Sequence, residues 1–137
     1  MDNEILIKHQ FPTTKEFIKL FNSVGWEREE KRVDENRKNS CFAVSIYKNN
    51  EILAMGRVVG DGAYFTIYDV VVDKTHQGKG LGSIIINEII NWYKTFKDDD
   101  TFLYLNASKG KEQFYEKFGF RARPNEEVGS GMKWYNK

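Results

Sequence analysis

"YDVVVDKTHQGKGLGSIII" spans residues 68–86, and its reading decides the fold. An apolar run closing on Val70, Val71 and Val72 enters a turn in which Gly78, Gly80 and Gly82 alternate with Lys79 and Leu81. Beyond the turn, Ile85, Ile86, Ile89, Ile90 and Tyr93 recur at helical spacing, which predicts a helix over 82–96 with one buried face. Glycines let a backbone come close to a ligand, and a helix N-terminus favours an anion. The first expectation is therefore a phosphate held at this turn.

Working outward, "TFLYLNA" (101–107) is expected to be a short buried strand, parallel to 63–73 if the intervening helix is a crossover. Upstream, "CFAVSIY" (41–47), "EILAMGRVVG" (51–60) and "AYFTIYDVVVD" (63–73) are separated by "KNN" and "DG". Both separators are hairpin-turn chemistry, so the three runs form an antiparallel meander. "EILIKHQF" (4–11) reads as a first strand and "GMKWYN" (131–136) as a last one. Thr13 and Glu16 have the spacing of a capping box. Phe17, Ile18, Leu20, Phe21 and Val24 line the helix they open, and Gly25 ends it. The charged stretch 27–39 reads as a solvated helix or loop, with a lid over a substrate as the sharper alternative. "KEQFYEKF" (111–118) is a short helix closed by Gly119. The expected architecture is α/β of the α+β type: a mixed, mostly antiparallel sheet of six to seven strands flanked by helices, in a single domain over 1–137.

The composition narrows the function. The chain has 137 residues, 40% of them hydrophobic and 15% aromatic, enough for a real core. Its 21 basic and 20 acidic residues argue against a nucleic-acid binder acting through overall charge. No apolar run is long enough to span a bilayer, and the N-terminus lacks the pattern of a signal peptide. One cysteine, Cys41, permits no internal disulfide and points to a reducing compartment, the cytoplasm. Cys41 heads an apolar strand and is expected to be a buried, inert thiol. His9 and His76 lie far apart in the sequence, and no metal is expected.

Two well-known phosphate loops fail on pattern. A P-loop needs GxxxxGK followed by Ser or Thr, and a dinucleotide fingerprint needs GxGxxG early in a repeated βαβ series. Instead, Gln77-Gly78-Lys79-Gly80-Leu81-Gly82 matches at every position the Q/R-x-x-G-x-G/A loop of the GNAT superfamily, the acyl-CoA-dependent N-acetyltransferases. "YDVVV" (68–72) resembles that family's fourth strand, and "FYEKFGF" (114–120) its late helix and following strand. The resemblance runs from about residue 41 onward.

The resemblance implies acetyl-CoA as cosubstrate and direct transfer of its acetyl group to a primary amine in a ternary complex. It places the pyrophosphate on the backbone of Gln77 to Gly82 and on Ser83 in the next helical turn, with Lys79 near a phosphate. It places the pantetheine arm along Val70, Val71 and Val72, whose backbone also supplies an oxyanion donor. Tyr115 would be the general acid that protonates the departing thiolate, leaving Phe114 and Phe118 to form the packing stripe. Asp69 is the first candidate base or acceptor anchor, with Glu27, Glu29 and Glu30 behind it. Many members carry Asn five residues before the "FY" pair; Lys109 stands there, and Asn106 would take over that cofactor contact. A small-molecule amine is the first acceptor class, a protein lysine or N-terminus the second, and a non-catalytic CoA-binding sensor the rival of another class. Neither nucleic acid nor membrane is expected as a partner, and a homodimer is an allowed assembly.

Overall fold

A computed structural model describes residues 4–136. Its elements are β1 (Leu6–Lys8), α1 (Thr14–Ser23), α2 (Glu30–Asn39), β2 (Phe42–Lys48), β3 (Glu51–Gly60), β4 (Tyr64–Val72), a 3-10 turn (Lys74–His76), α3 (Leu81–Lys94), β5 (Phe102–Leu105) and α4 (Glu112–Glu116). The strands form one sheet in the order β1-β2-β3-β4-β5. The first four are antiparallel neighbours. β5 runs parallel to β4, as a helical crossover requires. Contacts group the chain into two units, one ending at Asn106 and one beginning at Ala107.

Local chemistry builds the first unit. Thr13 Oγ1 accepts from the Glu16 amide at 3.1 Å, and Glu16 Oε1 accepts from the Thr13 amide at 3.0 Å. Two of the orphan donors at the start of α1 are thereby satisfied. Tyr47 donates its hydroxyl to the same Glu16 oxygen at 2.7 Å, tying the cap to β2. Asn49 and Asn50 both have positive φ, 52° and 66°, the backbone a two-residue hairpin turn demands.

Two apolar layers sandwich the sheet. Phe17, Leu20 and Phe21 of α1 join Val33 of α2 and Tyr47, Ile52, Met55 and Val71 of the sheet in one buried cluster. Neighbouring residues of a strand face opposite sides, so Gly56, next to Met55, faces α3. A Cβ built on Gly56 would lie 2.5 Å from Ile85 Cγ2 and 3.5 Å from Ile89 Cδ1. Gly56 is thus the notch that lets α3 lie close to β3. Gly56→Ala is expected to destabilise the fold by about 1–3 kcal/mol through overpacking, seen as a lower thermal unfolding midpoint.

The described residues hold five strands, not six to seven. Residues 131–136 form no strand, and Met132 and Trp134 are 95% and 80% exposed. Alternating apolar residues favour a strand only where a neighbouring edge takes up the backbone groups, and this segment pairs with none among the described residues. Phe120, expected to open a strand, also lies outside any regular element. The first strand is confined to Leu6–Lys8, less than the 4–11 expected. Cys41 corrects a further expectation. It is exposed just ahead of β2, with its thiol donating to the Val58 carbonyl at 3.5 Å. Partial desolvation still raises its pKa, so the thiol form is favoured.

Candidate active site

β4 carries an irregularity that shapes everything around it. Met55 pairs with Val71 and Arg57 with Tyr68, so two steps along β3 span three along β4. The extra residue is a β-bulge. Asp69 sits in it with φ 55°, left-handed for a residue that tolerates that region. The bulge puts Tyr68 and Val71 on one face. Beyond it the strand parts from its neighbour: β4 pairs with β5 only from Tyr64↔Phe102 to Ile67↔Leu105. Residues 68–72 continue with no partner on that side among the described residues, and Asn106 follows immediately after the last paired residue of β5. The edge of Val70–Val72 is therefore open to an extended ligand.

The open strand leads into the glycine turn. Asp73 Oδ1 accepts from the Thr75 amide at 3.0 Å, starting the 3-10 turn. The Gln77 side chain donates back to the Val72 carbonyl at 3.1 Å and ties the turn to the strand end. Gly78 and Gly80 have φ 80° and 84°, where a side chain is strained. A Cβ at either would meet nothing within 4 Å, so the space beside the loop is open to a ligand. Gly80 is the N-cap of α3 and supplies no side-chain cap. The first-turn amides of Leu81, Gly82 and Ser83 lack intrahelical partners. Leu81 turns its side chain into the core while Lys79 stays exposed; from Leu81 only the backbone can reach a ligand. An open strand edge and a helix N-terminus without a side-chain cap fit the extended amide-rich arm and pyrophosphate of a coenzyme A.

Asp69 is engaged rather than free. Its Oδ2 accepts from Arg57 Nε and from Arg28 Nη1, each at 2.7 Å, and its Oδ1 accepts from Arg28 Nη2 at 3.3 Å. The side chains of Arg57, Asp69 and Arg28 are 9%, 11% and 26% exposed. Both carboxylate oxygens are thus taken up by guanidinium donors. Glu27, Glu29 and Glu30 are exposed, and Glu29 caps α2 without a side-chain hydrogen bond. The two arginines were not singled out from the sequence. A signal was present: Arg57 interrupts the apolar strand "EILAMGRVVG", and a buried guanidinium needs a counter-charge. Asp69→Asn suits the left-handed backbone, removes the charge and replaces one acceptor oxygen by a donor. It is expected to cost about 2–3 kcal/mol, less than a fully buried pair would, measured as a lower urea midpoint at unchanged m.

In the C-terminal unit, Tyr115 lies on α4, half-buried, with ring centroids 5.0 Å from Phe114 and 6.2 Å from Phe120. Phe114 and Phe118 are 5.3 Å apart and also half-buried, so the stripe expected of them is only partly covered. The Tyr115 hydroxyl makes no hydrogen bond among the described residues, and burial raises its pKa. Lys109 precedes α4 and is exposed.

The chain as a whole resembles known proteins. Residues 11–120 match the family described as Acetyltransferase (GNAT) family. An uncharacterized N-acetyltransferase ycf52 of Pyropia yezoensis is 32% identical over 126 residues, covering 88% of this chain and 70% of that protein. A probable acetyltransferase of meticillin-resistant Staphylococcus aureus superposes with a TM-score of 0.84 at 27% identity, covering 96% of this chain and all of that one. A GNAT family acetyltransferase of Brucella melitensis, solved in complex with acetyl-CoA, shares the fold with a TM-score of 0.69 at 16% identity, covering 97% of each chain. The chain belongs to the acetyltransferase (GNAT) family and is an acyltransferase. No helix among the described residues is long and apolar enough to cross a membrane.

Proposed function

We propose that the whole chain is one N-acetyltransferase domain that moves the acetyl group of acetyl-CoA to the primary amine of a small molecule, in the cytoplasm. The observation that carries this reading is the open edge of Val70–Val72 running directly into the left-handed glycine turn and uncapped start of α3. When bound, acetyl-CoA supplies the activated acetyl thioester. The amides of Gly78 to Ser83 hold its pyrophosphate, with Lys79 as a screened outer charge. The backbone of Val70–Val72 aligns the arm and donates to the thioester oxygen. Gln77 fixes the turn, and Asn106 lines the gap where β4 leaves β5. As the amine nitrogen bonds to the acetyl carbon and the carbon–sulfur bond breaks, Tyr115 gives its hydroxyl proton to the sulfur. Asp69 acts as a positioning residue by holding Arg28 and Arg57, and the proton from the amine leaves through water. The single cysteine, unable to form an internal disulfide, supports a reducing compartment.

The test is acetyl-CoA with a broad panel of amines, read by release of free thiol. Release that depends on the amine, with the acetylated amine found by mass spectrometry, is the expected result. Binding of acetyl-CoA with no amine-dependent release across the panel would overturn catalysis and leave a CoA-binding sensor.

A further inference from the structure

The cluster around Asp69 holds two guanidinium groups and one carboxylate. No other acidic side chain lies within ion-pair distance of Arg28 or Arg57 among the described residues. Arg28 gives three hydrogen bonds, to Asp69 twice and to Asn36 Oδ1 at 2.9 Å. Arg57 gives two, to Asp69 and to Ser40 Oγ at 3.2 Å. Each guanidinium has five N–H donors, so both keep donors in hand. No side-chain nitrogen or oxygen among the described residues is both fully buried and unpaired. Arg57 Nη2 makes no such bond, so it must reach solvent although the residue is only 7% exposed. Aromatic rings wall the cluster: Arg28 lies over Phe21 at 4.7 Å and Phe17 at 5.4 Å, and Arg57 over Tyr68 at 5.5 Å.

We infer that this cluster is an anion subsite, and that the acceptor amine carries a carboxylate or phosphate group that docks on Arg28 and Arg57. The inference rests on reading the neighbouring strand edge as the acyl-transfer site. A partly buried excess positive charge is costly unless an anion meets it, and planar guanidinium groups with free N–H edges match acidic oxygens in pairs. Asp69 precedes Val70 directly, and a strand advances about 3.3 Å per residue. The acidic group and the reacting nitrogen are therefore joined by a short spacer of a few bonds. Asp69 holds the two arginines in place without neutralising both.

The experiment titrates the coenzyme A-saturated protein with matched amines by calorimetry: ethanolamine against phosphoethanolamine, and butylamine against 4-aminobutyrate. At least one acidic member should bind about tenfold or more tighter than its neutral partner, as one charge-assisted contact provides. The phosphate arm and the carboxylate arm tell the two sources of the anion apart. Arg28→Gln should erase the preference, and Arg28→Lys should retain part of it. Circular dichroism and coenzyme A binding verify that each variant is folded. Equal binding within both pairs, tighter binding of the neutral members, or no measurable binding of either acidic amine overturns the inference. Should Arg28→Gln fail to fold, the pairwise preference of the parent protein decides alone. Thiol release is read separately: preference in binding without transfer supports the anion subsite and counts against the acetyltransferase reading.

Discussion

Gly80→Val lowers coenzyme A affinity by about a hundredfold and leaves the protein folded. Gly80 has φ 84° and caps α3, and the space where its Cβ would stand is empty of protein atoms to 4 Å. The Cβ of the valine therefore meets no other residue of the fold. It strains one left-handed residue, at a cost of about 1–2 kcal/mol. Its methyl groups fill the space a phosphate must enter to reach the amides of Leu81 to Ser83. Each hydrogen bond to a charged group contributes about 1.5–3 kcal/mol. Losing two of them amounts to about 3 kcal/mol or more, a factor of a hundred or more in Kd. Coenzyme A at a hundred times its Kd should stabilise the parent by about 2.7 kcal/mol, and the variant at that concentration far less. ADP, which shares the pyrophosphate, should give part of the shift in the parent. A folded variant that binds coenzyme A like the parent would show that the glycine loop is not the pyrophosphate site.

Tyr115→Phe lowers kcat by at least about tenfold, against the 10²–10⁴ typical of a positioned acid, the difference allowing for water as a substitute donor. The substitution keeps the ring against Phe114 and Phe120 and removes only a hydroxyl that has no partner among the described residues. Acetyl-CoA affinity should change by less than about 1.4 kcal/mol. Burial raises the Tyr115 pKa, so the phenol keeps its proton throughout the neutral range and loses it only above its ordinary value near 10. Activity that depends on it falls as pH climbs past that raised value, and the phenylalanine variant should lack this basic limb. Turnover at the parent's rate would make Tyr115 a packing residue; a joint fall of binding and rate would make its hydroxyl a cofactor contact.

Much of this was legible from residue chemistry. The Thr13–Glu16 cap and the Asn49–Asn50 turn follow from local rules and stand in the structure as read; of the face expected on α3, Ile85, Ile86 and Ile89 are buried while Ile90 and Tyr93 are only partly covered. The parallel pairing of β5 follows from the length of the crossover before it. What was hidden depends on partners far along the chain. Residues 131–136 have a strand's alternation, but a strand exists only with a neighbour. The bulge at Asp69 leaves no pattern in β4 itself; its trace is the register against β3. The two guanidinium groups on Asp69 come from positions 28 and 57, one in a charged stretch that reads as solvent-facing. Cys41 was misjudged because a residue at a strand's end escapes the burial of its middle.

The single extra residue in β4 gives the strand two careers. Up to Ile67 its hydrogen-bonding capacity is spent on the sheet. After Asp69 the chain is rotated out of step, and the same backbone groups are left over on one side. A shortening of the chain by one residue here would restore the regular ladder and invert every side chain from Tyr68 back or from Val70 forward. Val71 would exchange the company of Phe17 and Met55 for the opposite layer. Spare backbone valence and a correctly seated core thus hang on the same inserted residue. A change of length in this strand therefore strikes the core and the open edge at once.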